Sequence, residues 1–122
     1  MKARVVVIED DADLREAICL MLRYDGHEVC GFSNGKDAIR KIEEGLPTDV
    51  ILLDLMMPIM TGWEFCEYRS ASTTLAHVPV IIVTARHVVT PPIGINHVLL
   101  KPFGPNELQD AIARALAGSN AS

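Results

Sequence analysis

The chain has 122 residues, 49% of them apolar, which is the size of one domain with one proper core. Sixteen Asp and Glu against eleven Lys and Arg leave a net charge of −5, which argues against a nucleic-acid-binding module, since that needs a basic patch to displace counterions. No apolar run approaches the roughly 20 residues that span a bilayer. Met1–Arg4 leads straight into Val5–Ile8 with no signal peptide, so the cytoplasm is the expected compartment. Cys19, Cys30 and Cys66 are odd in number and show no CxxC spacing, which sets aside a disulfide scaffold and a zinc site.

Short apolar runs alternate with amphipathic stretches. Val5–Ile8 reads as a strand that stops at Glu9-Asp10-Asp11. Residues 13–24 set Leu14, Ala17, Ile18, Met21 and Leu22 at helical spacing, with Gly26 as the stop. Glu28–Phe32 is a second strand whose mixed character suits a sheet edge, and Asn34 caps a helix over 36–44 that ends at Gly45. Asp49–Leu53 is the third strand, ending at Asp54; a loop over 55–61 leads to a helix starting near Gly62-Trp63. Val80–Val83 is the fourth strand, ending at Thr84, and Val98–Leu100 the fifth, ending at Lys101. Pro105-Asn106 opens a last helix, and residues 119–122 read as a frayed tail after a domain over 1–118. Strands alternating with helices predict βαβ crossovers and a parallel sheet, and consecutive apolar residues in strands one, three and four predict helices on both faces.

One crossover breaks the pattern. Only 12 residues (85–96) separate Thr84 from His97, where a complete crossover with its helix needs at least about 10–12. They include Val88, Val89, Thr90, Pro91, Pro92, Ile93 and Gly94, and a proline inside a helix costs about 3 kcal/mol. The fourth helix is therefore expected to be short, irregular or missing.

In an open α/β sheet, ligands bind beyond the carboxyl ends of the strands, where the strand order switches. Glu9, Asp10, Asp54, Thr84 and Lys101 all leave strands at that rim. Carboxylates gathered there repel one another unless a cation sits between them, and hard oxygen ligands of that number suit Mg²⁺. With the order 2-1-3-4-5, Asp10 and Asp54 lie on neighbouring strands about 4.8 Å apart and can share the metal, while Lys101, two strands from Asp54 at roughly 10 Å, needs its long side chain to reach. A carboxylate nucleophile, a metal and a fixed cation make a site for phosphoryl transfer.

These residues, in this order, resemble the receiver domain of two-component response regulators. The resemblance rests on Val-Ile-Glu-Asp-Asp (7–11), Leu-Leu-Asp-Leu-Met-Met-Pro-Ile-Met-Thr-Gly (52–62), Val-Pro-Val-Ile-Ile-Val-Thr-Ala (78–85) and Lys-Pro-Phe (101–103), and runs from Val5 to about Leu116. It implies a flavodoxin-like, doubly wound, five-stranded parallel sheet of order 2-1-3-4-5. It implies that Asp54 accepts a phosphoryl group from a sensor histidine kinase or histidine phosphotransfer protein. Glu9 and Asp10 are then the acidic metal pair, with Asp54 and the Met56 carbonyl completing the protein ligands of Mg²⁺. Thr84 is the switch hydroxyl, Lys101 the phosphate-contacting lysine, and the Lys101–Pro102 bond is cis. The expectation is a stand-alone receiver, monomer or weak dimer, that signals through an output protein; it is not an enzyme beyond its own phosphorylation and slow dephosphorylation, and it binds neither nucleic acid nor membrane. The alternative is a phosphorylation-independent interaction module with a vestigial site. Two departures stand out: Val98 occupies the position three before the lysine where the family carries an aromatic, with His97 directed to the other strand face, and the residues two beyond Asp54 and Thr84 are Met56 and Arg86. An apolar Met56 beside the phosphoryl group is expected to hinder attacking water.

Overall fold

The computed structural model describes residues 2–85 and 90–120. In chain order the elements are β1 (Arg4–Ile8), α1 (Ala12–Tyr24), β2 (Glu28–Phe32), α2 (Gly35–Glu43), β3 (Val50–Asp54), α3 (Gly62–Ala71), β4 (Val80–Ala85), β5 (His97–Lys101) and α4 (Pro105–Asn120). The five strands pair in parallel in the order β2-β1-β3-β4-β5, the doubly wound arrangement expected from the sequence.

Alternation along each strand splits the core into two layers. Val6, Ile8, Ile51, Leu53, Val80 and Ile82 face Ala38, Ile39 and Ile42 of α2 and Phe65 of α3. Val5, Val7, Val50, Leu52, Ile81 and Val83 face Ile18 and Leu22 of α1 and Leu108, Ile112 and Ala115 of α4. Strands β1, β3 and β4 are buried on both faces because helices cover both, which is why their sequences are apolar without a break. The mixed β2 is an edge strand, as its composition indicated.

Helix ends follow the local chemistry. Asp11 caps α1 by accepting from the Asp13 and Leu14 amides, Asn34 caps α2, and Thr61 with Glu64 forms a capping box at α3. α4 runs through Asn120, two residues into the segment read as a tail.

The other edge departs from full coverage. Residues 90–96 of the crossover from β4 to β5 are not helical; they turn through Gly94 (φ +84°), with the Ile95 amide donating to the Pro92 carbonyl at 3.3 Å. Residues 86–89, which include Arg86, Val88 and Val89, lie outside the described residues. Leu99 of β5 is buried against α4, whereas Val98 and Leu100, on the opposite face, are 43% and 44% exposed. The Trp63 indole N–H donates to the Thr90 carbonyl at 3.1 Å, which ties α3 to this crossover.

Candidate functional site

The site is built at the carboxyl rim of the sheet, where β1, β3, β4 and β5 stop together. Val7 and Ile8 pair with Leu52 and Leu53, so Glu9 and Asp10 leave β1 beside Asp54. Asp54 pairs with Val83, which sets Thr84 one residue further along the neighbouring strand, and Ala85 pairs with Lys101. The residues singled out from the sequence are thus brought to one edge by register alone.

Glu9, Asp54 and Thr84 are buried, at 2%, 6% and 4% exposure, while Asp10 is exposed. One carboxylate oxygen from each of Glu9, Asp10 and Asp54 lies within 4.8 Å of the other two, a set of hard oxygens that could hold a divalent cation. Lys101 crosses from β5 and places its Nζ 3.2 Å from Glu9 Oε1 and 3.7 Å from Asp54 Oδ2. The long side chain makes the reach expected of it, and its closer partner is Glu9. The Lys101–Pro102 bond is cis.

Burial, with the facing Asp54 carboxyl as the next cause, pushes Glu9 up to about 7; the Asp11 amide and the Lys101 ammonium oppose that rise. The rise is thus first a cost of removing the Glu9 carboxylate from water, to which the facing Asp54 adds. Thr84 adds a second burial cost, because its Oγ1 is buried without a hydrogen-bond partner among the described residues, and a buried polar atom left so costs about 1–3 kcal/mol.

The loop after β3 closes over this site. The Met56 amide donates to Asp54 Oδ1 at 3.2 Å and the Gly62 amide to the Leu55 carbonyl at 2.9 Å. A Cβ on Gly62 would stand 2.7 Å from Leu55 Cα and 3.0 Å from the Asp54 carbonyl oxygen, so only glycine lets α3 start this close to the strand end. Ile59 takes φ +70°, a conformation that a β-branched residue rarely adopts. Met57 packs into the core, whereas Met56 is 62% exposed.

Sequence reasoning passed over two contributors. Arg15 Nη1 donates to the Glu9 carbonyl at 2.8 Å and holds the end of β1, with no signal beyond a basic residue on α1. The Thr61–Glu64 capping box fixes the end of the Asp54 loop, and its Thr-x-x-Glu spacing was visible in the chain. His27 accepts from the Ala3 amide at 3.0 Å, far from the rim. Among the described residues no helix is long and apolar enough to cross a membrane.

Residues 5–113 match the response regulator receiver domain family. The chain is 33% identical over 113 residues to the DNA-binding response regulator MtrA of Mycobacterium tuberculosis, a match covering 88% of this chain and 48% of that protein. It spans about half the length of the curated relatives it matches. Among solved structures it is similar to the chemotaxis protein CheY4 of Vibrio cholerae (28% identity, TM-score 0.83, covering 95% of this chain and 100% of that one). It is also similar to the receiver domain of the sensor histidine kinase PA1611 of Pseudomonas aeruginosa PAO1, with a magnesium ion coordinated in its active-site cleft (28% identity, TM-score 0.85, covering 96% and 99%). The chain belongs to the response regulator receiver domains of two-component signalling, a family of phosphoacceptor regulatory domains.

Proposed function

We propose that Asp54 accepts a phosphoryl group from a phosphohistidine of a sensor histidine kinase or histidine phosphotransfer protein, and that the phosphorylated chain signals through an output protein. The observation that carries this reading is the convergence of Asp54, Lys101, Glu9 and Asp10 at one rim. An Asp54 oxygen attacks phosphorus in line, the P–N bond to the donor imidazole breaks, and the imidazole leaves with that bond's electron pair. Lys101 sets its ammonium against the phosphoryl oxygens, and Thr84, whose hydroxyl has no partner among the described residues, donates to one of them, drawing the end of β4 inward. Glu9, Asp10 and Asp54, with the Met56 carbonyl, are the residues that would hold Mg²⁺; the raised Glu9 carboxyl fits a site that gains from a cation. When bound, Mg²⁺ supplies positive charge for the phosphoryl oxygens during transfer.

Incubation with acetyl phosphate and Mg²⁺ followed by intact-mass measurement tests the assignment. The expected result is the gain of one phosphoryl group, lost in Asp54→Ala; no gain in the parent chain would leave the phosphorylation-independent interaction module as the reading. The same assay followed over time tests Met56, whose exposed side chain stands two residues from the acceptor. Met56→Asn is expected to lose phosphate several-fold faster, because a polar side chain admits and orients water where the thioether excludes it.

A further inference from the structure

The opposite end of the sheet carries a second polar cleft. It lies at the amino ends of β4 and β5, has a volume of about 480 Å³, and is lined by Arg69, His77, Pro79, Asn96, His97 and Gly118 among others. His97 precedes Lys101 by four residues on β5, so the cleft is about 13 Å along the strand from the phosphoryl rim.

Its charge is one-sided. Arg69 sits in the last turn of α3, half-buried, and its Nε donates to the Val78 carbonyl at 2.8 Å, which fixes the plane of the guanidinium. No carboxylate pairs with it among the described residues, and none lines the cleft, although the chain carries sixteen acidic residues against eleven basic. Burial holds the guanidinium below its ordinary value with no carboxylate opposing the shift, yet an arginine stays charged. Two imidazoles and the Asn96 amide add donors on the same walls. The short crossover leaves the space open: a turn through Gly94, not a helix end, leads into β5. Gly118 leaves it open from the other side, since a Cβ there would stand 3.7 Å from His97 Nε2.

We propose that this cleft binds a small multivalent oxyanion, a phosphate or polycarboxylate, with the Nη edge of Arg69 as its fork and His77, His97 and Asn96 as further donors. A planar guanidinium held along one edge presents parallel N–H groups matched to two oxygens of such an anion.

Amide NMR of the full chain without metal, titrated with inorganic phosphate and separately with citrate at constant ionic strength in chloride, tests the site. Saturable shifts at His77, His97, Ala115 and Gly118 with a midpoint of about 1 mM are expected, the rim at Asp54 and Lys101 remaining still. Citrate alone saturating would assign the polycarboxylate, and phosphate alone the phosphate. Arg69→Gln is expected to abolish the response. Because Arg69 also holds the Val78 carbonyl, Gly118→Leu serves as the second variant: it keeps the guanidinium, fills the cleft, and should weaken binding at least about tenfold. Shifts that stay linear, that survive Gly118→Leu unchanged, or that gather at Lys101 overturn the proposal.

Discussion

Two cation–carboxylate pairs stand at opposite ends of the same sheet and are built in opposite ways. At the amino ends of β1 and β3, Arg4 takes both oxygens of Asp49, with Nη2–Oδ1 and Nε–Oδ2 at 3.1 Å and the Arg4 amide donating to Oδ2 at 2.7 Å. The hydrogen bond from Arg4 is the main cause that holds Asp49 below its ordinary value. At the carboxyl ends, one ammonium is divided between Glu9 and Asp54, and Glu9 is pushed up to about 7 by burial and by its carboxyl neighbour. One pair is satisfied in the folded chain as it stands. The other sets two carboxylates against one cation, next to a hydroxyl with no partner among the described residues. A ligand completing the proposed phosphoryl site would relieve a local deficit of this kind, and the contrast gives a way to tell a pair that only holds the fold from one with a further role.

The largest expected difference between the ends is in phosphorylation. Lys101→Met removes the preorganised cation and should slow transfer from a small phosphodonor by about 100-fold, while Arg4→Met leaves the rate unchanged. Intact-mass time courses measure both. Equal rates in the parent chain and Lys101→Met would dissolve the distinction.

The next effect is on stability and has an unusual sign. Glu9→Gln removes one of two facing buried carboxyls, so the metal-free chain should gain about 1 kcal/mol, as relief of a strained functional site commonly gives. Thermal unfolding without Mg²⁺ reads the gain, and titration with Mg²⁺ should show weaker binding in the variant. A loss of stability on this substitution would mean that the Lys101–Glu9 contact outweighs the repulsion.

The rim was legible because β1, β3, β4 and β5 each carry an aliphatic or β-branched run that gives way to polar residues at its carboxyl end, and parallel register then carries Glu9, Asp54, Thr84 and Lys101 to one edge. Pro91 and Pro92 made the missing helix legible over residues 90–96 in the same way. Other features left no such trace. Which carboxylate Lys101 approaches more closely depends on side-chain geometry across two strands, not on pattern. The left-handed Ile59 contradicts its own local preference, and it lies within the loop that the Gly62 amide closes on the Leu55 carbonyl. The Arg4–Asp49 pair joins residues 45 apart in the chain, and a surface charge carries no mark of its partner.

The smallest expected effect completes the comparison at the satisfied end. Asp49 has a folded-state value below its unfolded one, so its contribution is present above the ordinary carboxylate range and fades as pH falls through the lowered value. Both partners are partly exposed, at 50% for Arg4 and 32% for Asp49, and water and salt screen such a pair. Asp49→Asn should therefore lower the urea midpoint slightly at neutral pH, by less than Glu9→Gln raises it, and the difference from the parent chain should close in acid and shrink in high salt. Glu9→Gln behaves in the opposite sense with pH: the strain it relieves builds as pH rises from the ordinary carboxylate range to about 7, where the unfolded chain has ionised Glu9 and the folded chain has not, and is constant above that. Urea melts of the two variants across pH would thus diverge in sign at the two ends of one sheet, and parallel curves would show that both pairs are merely structural.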